Sequence, residues 1–314
     1  VGFIAGPNFF GDFKKNFKSY ILIGLIIILV GGISCWACTM FDIKVYESDP
    51  KEAAAMLVGL LSGSLTSTPA FSAAKATVTS EELEAMVSVG HGIAYLFGVI
   101  GVVLFVQLTP KLAKANMEEE RAKLSENNPE VPSKLTGKEL ELDGFGFCAF
   151  SIVAVLGILV GSLKIGNFSL TTTGGCLLMS LIFGHFAKIG NVSVTPSTAT
   201  LKNFRELGLM LFLIGAGVAG GAEFVKYFEW VYFIYGIIMT LLPMIVGYIF
   251  ARYVLKLNLL NNLGSICGGM TSTPALGTLI STAGTEKVAG AYASTYAIAL
   301  ISVVLVSQIL ILMF

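Results

Sequence analysis

The sequence predicts an all-α membrane protein built as an inverted repeat with two re-entrant helical hairpins, and three observations predict it. Hydrophobic residues make up 55% of the 314-residue chain and charged residues 13%, with a mean hydropathy of +0.81, a composition that belongs in a bilayer. The pentapeptide Thr66-Ser67-Thr68-Pro69-Ala70 recurs letter for letter as Thr271-Ser272-Thr273-Pro274-Ala275, each copy inside a long apolar, glycine-rich stretch. Finally, the cations cluster in the segments that one face of such a protein would own.

Uncharged runs long enough to cross a hydrocarbon core of roughly 30 Å occur, in order, at residues 19–40, 87–108, 145–163, 168–187, 207–221 with a polar lead-in from Leu201, 230–250 and 288–314. These predict seven spanning helices. Two more apolar stretches, 53–78 and 259–283, carry the TSTPA breaks. Interrupted backbone at membrane depth is tolerated only where protein buries it or it lines a cavity. An arm of about eleven residues at 1.5 Å rise reaches roughly half the hydrocarbon thickness, so two hairpins would bring their tips together near the midplane.

Lys14, Lys15 and Lys18 precede the first span, and Lys111, Lys114, Arg121, Lys123, Lys134 and Lys138 fill the central polar segment. Threaded from the central segment onward, Lys188, Lys202, Arg205, Arg252 and Lys256 follow later spans on the same face, leaving only Lys164 and Lys226 of these later cations opposite. The positive-inside rule makes that face cytoplasmic. The first TSTPA stretch then begins and ends outside, the second begins and ends inside, and the C-terminus is external. This organisation divides the chain into a first membrane repeat (1–109), a cytoplasmic linker (110–143) and a second membrane repeat (144–314). The repeat continues beyond the tips, since Gly90 to Tyr95 aligns with Ala291 to Tyr296 and makes Tyr95 equivalent to Tyr296. Ala5-Gly6-Pro7 pairs with Ala219-Gly220-Gly221, which leaves about three helices of the second half unmatched in the first. The expectation is a native polypeptide that continues upstream of Val1.

Two breaks in matching halves point to a transporter's binding site. Pro69 and Pro274 suit the first position of a returning helix, with Thr68 and Thr273 as N-caps. Each tip then presents a helix N-terminus carrying about +0.5 elementary charge, suited to a carboxylate stripped of water. The candidate substrate-binding residues are Thr66, Ser67, Thr68, Pro69, Thr271, Ser272, Thr273 and Pro274, with Gly63, Gly268 and Gly269 for close approach, and His91, Tyr95, Tyr292 and Tyr296 from the following helices. His91 is as well explained by packing against its glycine-rich neighbours. Gly59, Gly63, Gly264 and Gly268 likewise suit simple helix packing. The segment around Glu118-Glu119-Glu120-Arg121 reads as a solvated linker, and Lys75 as a cation that snorkels to the outer surface.

The runs GLLSGSLTSTPAFSAA and GHGIAYLFGVIGVVLFVQLTPKL, with GGMTSTPALGTL in the second half, resemble the aspartate:alanine exchanger family of bacterial permeases over nearly the whole chain. The resemblance implies a secondary transporter in the bacterial cytoplasmic (inner) membrane, an antiporter of small amino acids or carboxylates such as aspartate and alanine. Many members carry a pair of regulatory domains in the central loop. Here Lys111 to Asp143 is too short and polar to form one.

Five scattered cysteines, Cys35, Cys38, Cys148, Cys176 and Cys267, read as apolar fillers rather than a disulfide or metal set. Lysine plus arginine equal aspartate plus glutamate at 20 each, so no basic excess argues for nucleic acid. The expected partners are an anionic or zwitterionic small molecule and the lipid bilayer; a homodimer stays open. No cofactor is expected, although sodium held by unwound carbonyls remains compatible, because Asp42, Glu223 and Glu286 all fall at span ends and offer no carboxylate relay. An enzyme is disfavoured, since no His and Asp pair is placed to serve Ser67 as a nucleophile. The rival is an ion or anion channel, because paired re-entrant tips also build selectivity filters.

Overall fold

The computed structural model describes residues 2–3, 13–127, 140–141, 144–165, 168–169, 171–186, 188–189, 192–193, 195–285 and 287–314. Helix α1 (Phe13–Tyr46) is followed by α2 (Pro50–Ser64), α3 (Thr68–Thr77), α4 (Glu81–Leu112), α5 (Met117–Asn127), α6 (Phe147–Gly161), α7 (Thr171–Phe186), α8 (Thr198–Tyr227), α9 (Trp230–Ile249), α10 (Leu259–Gly269), α11 (Thr273–Ala283) and α12 (Val288–Leu312). Pro243 is accommodated inside α9, whose end opens into a π-turn over Phe250–Val254.

Among the described residues, four helices are long and apolar enough to cross a membrane: Lys18–Tyr46, Glu81–Leu112, Trp230–Val254 and Val288–Leu312. Seven were expected. Helices form at all seven expected places, but α6 and α7 have 15 and 16 residues, short of the roughly 20 that a straight span requires. The chain is also not purely helical. Phe168–Ser169, expected to open a helix, instead pairs antiparallel with Lys164–Ile165, and Val192–Ser193 pairs with both Lys188–Ile189 and Leu140–Glu141.

The first arms of the two TSTPA segments form the centre of the molecule. In α2 every residue from Ala53 to Ser64 is buried, and in α10 every residue from Leu259 to Gly269. Helices α1, α4, α9 and α12 surround these two. Glycine permits the closest crossings: a Cβ on Gly63 would lie 2.4 Å from the His91 carbonyl oxygen, and one on Gly268 would lie 2.4 Å from that of Tyr292.

The described part of the linker around Glu118–Arg121 is not wholly solvated as expected. Residues Met117–Asn127 form α5, which packs against α10. Leu124 is fully buried, and a Glu120 carboxylate oxygen accepts the Leu259 N–H at 3.0 Å. That carboxylate supplements Asn258, which caps α10 by accepting from Asn261 N at 2.8 Å, so an anion sits where the helix dipole favours one. At the other end of the molecule Lys75 pairs with Glu84 at 3.3 Å and Lys226 with Glu82 at 3.3 Å. Lys75 is thus tied to α4. Asp42, expected at a span end, is 1% exposed within α1.

Candidate functional site

Each TSTPA segment breaks its helix in the same way. Thr66 N donates to Gly63 O at 2.9 Å and Ser67 N to Ser62 O at 2.8 Å; Thr271 N donates to Gly268 O at 3.0 Å and Ser272 N to Cys267 O at 2.9 Å. This pair of bonds is the Schellman helix ending, which puts one residue in the left-handed region. That residue is normally glycine. Here it is Thr66, at φ 50°, and Thr271, at φ 51°, a conformation that is a genuine outlier for a β-branched side chain.

The strain has a structural counterpart across the tips. Thr66 Oγ1 donates to the Met270 carbonyl at 3.1 Å, and Thr271 Oγ1 donates to the Leu65 carbonyl at 2.7 Å. Glycine would relax the backbone but could make neither bond. The hydroxyls of Thr66 and Thr271, expected to serve a ligand, are therefore committed to holding one tip against the other.

The N-caps lie one residue earlier than expected. Ser67 and Ser272 occupy the cap positions, and Thr68 and Thr273 begin α3 and α11. Proline therefore sits second in each helix, where the N–H it lacks is again one of the unbonded ones. Ser67 Oγ accepts from Ala70 N at 3.3 Å, whereas Ser272 makes no such bond and its buried hydroxyl has no hydrogen-bond partner among the described residues.

A cavity of about 760 Å³ opens beside the tips. Of the expected site residues, Thr66, Thr68, Pro69, Tyr95, Thr271, Thr273, Pro274 and Tyr296 line it. Ser67, Ser272, Gly63, Gly268, Gly269, His91 and Tyr292 are not among its lining residues. His91 is 2% exposed, its Nδ1 lies 2.8 Å from Ser62 Oγ, and its ring packs 4.5 Å from Phe71 and 5.1 Å from Tyr95 between centroids. Because Ser62 donates its own hydroxyl hydrogen to Gly59 O at 2.7 Å, the imidazole must be the donor to Ser62. Tyr292 stacks on Tyr296 at 5.0 Å and reaches Thr273 Oγ1 with its hydroxyl at 3.2 Å. It supports a lining residue from behind.

The remaining wall holds groups that sequence reasoning missed as site residues. Phe150 and Val153 come from α6, Cys176 and Ser180 from α7, and Phe204, Arg205 and Glu206 from α8. The available signal was the polar lead-in to the 207–221 run, where Arg205 counted only as a topological charge. The cavity thus combines two helix N-termini, hydroxyls, aromatic faces and one ion pair. Such a set can hold a small solute bearing a carboxylate.

The family profile described as a predicted permease membrane region, that of the aspartate–alanine exchangers, matches residues 1–111 and 149–312. A transporter of Bacteroides thetaiotaomicron is 26% identical over an alignment of 474 positions that takes in 99% of this chain and 86% of that protein. The alignment exceeds the chain's 314 residues because the relative carries residues that this chain lacks. A transporter of Rhodopirellula baltica is 37% identical over 160 residues, covering 48% of this chain and 30% of that protein. A transport protein of Edwardsiella ictaluri is 33% identical over 171 residues, covering 51% and 31%. No solved structure matches the chain. With the permease profile on both flanks of the linker and four helices long and apolar enough to cross a membrane, this multi-pass membrane protein belongs to the aspartate–alanine exchanger family of permeases.

Proposed function

We propose that the protein is an antiporter that exchanges small amino acids or other small carboxylates, such as aspartate and alanine, by alternating access, with the substrate held at the two TSTP tips. The observation that carries this proposal is the convergence of the N-termini of α3 and α11 on one cavity, beside tips joined by the reciprocal Thr66 and Thr271 bonds. Two positive helix ends favour an anionic group where water is excluded. Withdrawal of either tip breaks both cross-tip bonds and opens the cavity to one side at a time.

In this proposal α2–α3 and α10–α11 are re-entrant hairpins of an inverted repeat. The base of the first lies at the end of the molecule where Lys75 and Lys226 meet Glu84 and Glu82; the base of the second lies at the end where α5 docks. These ends are separated by the 32-residue α4, about 48 Å at 1.5 Å per residue. The linker is assigned to the cytoplasm and the C-terminus to the outside, in the inner membrane. Cysteines placed at Ser80 and Lys114 should accordingly react with an impermeant reagent from opposite sides; reaction of both from one side would refute the inverted arrangement.

The deciding experiment is uptake of labelled aspartate into proteoliposomes loaded with alanine, aspartate or buffer. Exchange predicts uptake that requires internal substrate. A current that flows down an ion gradient without internal substrate would instead establish a channel.

A further inference from the structure

Arg205 and Glu206 are the only charged side chains among the described residues that line the cavity, and they are bonded to each other, Arg205 Nε donating to Glu206 Oε1 at 3.0 Å. They are consecutive on α8, so their Cβ directions diverge by about 100° and helix geometry does not bring them together. They meet because both long side chains curl into the same space. Their side chains are 32% and 52% exposed, and an ion pair that accessible contributes little. A ligand offering better partners can open it.

The charge balance decides which ligand that is. A simple carboxylate that draws Arg205 away leaves the Glu206 carboxylate beside it, unpaired and repelling. An amino acid brings both partners at once, a carboxylate for the planar guanidinium fork and an ammonium for Glu206. The N-termini of α3 and α11 on the tip wall add positive potential to the same cavity. We infer that Arg205 and Glu206 select the substrate by charge, Arg205 taking the carboxylate and Glu206 the ammonium group, so that the cavity favours zwitterionic amino acids over carboxylates that lack the amine. This inference rests on the antiport reading above.

The test is competition against labelled alanine uptake in alanine-loaded proteoliposomes, with alanine, propionate and ethylamine as probes. In the native protein propionate and ethylamine should each compete at least about tenfold less well than alanine, the factor typical of one lost charge-assisted hydrogen bond. Glu206→Gln should shrink the alanine-to-propionate ratio by roughly tenfold, because the amine loses its partner while the carboxylate site loses a repelling neighbour. Arg205→Gln should weaken alanine and propionate together and spare ethylamine. If that variant fails to fold, Arg205→Lys keeps the charge, loses the fork and should still lower affinity for both carboxylates. An unchanged alanine-to-propionate ratio in folded Glu206→Gln protein overturns the inference while leaving antiport intact. Native protein that exchanges neither alanine nor aspartate overturns the antiport reading, and the inference falls with it.

Discussion

The two helix–break–helix units share a backbone and differ in what fixes it. Both end their first helix on a left-handed threonine, both send that hydroxyl to the other tip, and both press a glycine against a carbonyl of the following long helix. Behind this common frame the side chains diverge. In the first unit His91 turns back to Ser62 on the buried arm; in the second, Tyr292 occupies the matching position and reaches forward to Thr273 at the cavity. Cys267 stands where the first unit has Ser62 and offers no comparable hydroxyl. The cap differs too, made by Ser67 and not by Ser272. Repetition therefore conserves what the backbone needs, while the support of each tip is free to become asymmetric.

The largest expected effects test the shared part. Gly63→Ala and Gly268→Ala each place a methyl group 2.4 Å from a carbonyl oxygen, so each should destabilise the protein by about 1–3 kcal/mol, to similar extents, in thermal unfolding in detergent. A large loss in one unit alone would break the equivalence. Next come Thr66→Val and Thr271→Val, which each remove a cross-tip bond and strand a buried carbonyl, at a cost of about 1–2 kcal/mol each. The double variant should depart from additivity, because one tip–tip contact holds both bonds; strict additivity would show the two bonds to be independent.

Smaller effects sharpen the asymmetry. Tyr292→Phe and Thr273→Val delete the same bond, so each should cost about 1 kcal/mol and the pair little more, with substrate affinity falling several-fold in either. Ser62→Ala should cost similar stability, because it removes the hydroxyl bonded to His91, yet leave substrate affinity unchanged. A loss of affinity there would place His91 in the site after all. The smallest contrast is at the caps: Ser67→Ala should lower stability by about 1 kcal/mol, whereas Ser272→Ala, with no cap bond to lose, should be close to neutral in the same unfolding assay.

Several features of the site were legible because they are local. A proline beside hydroxyl residues in an apolar stretch specifies a break and a new helix start wherever it occurs, and both breaks lie as expected to within one residue. The cap moved from Thr68 to Ser67 because proline is tolerated in the second helical position as well as the first. Helix lengths in the middle of the chain were less legible, since the apolar run at 168–187 opens with Phe168–Ser169, which pairs as a short strand with Lys164–Ile165 from between the two runs. Charge hid the docked linker helix. Its Leu124 lies in a run dominated by charged and polar residues, and the neighbouring α10 explains its burial.

By itself the sequence determined the solvent of this protein, the places where its helices break and the repetition of those breaks, because composition and backbone chemistry act over a few residues. Tertiary structure alone decided what each broken end touches. Thr66 bonds a carbonyl 204 positions away and Thr271 one 206 positions away, and Arg205 reaches the cavity only because α8 lies along it. Such partners are chosen by how helices pack, and packing depends on shapes that distant segments present to one another.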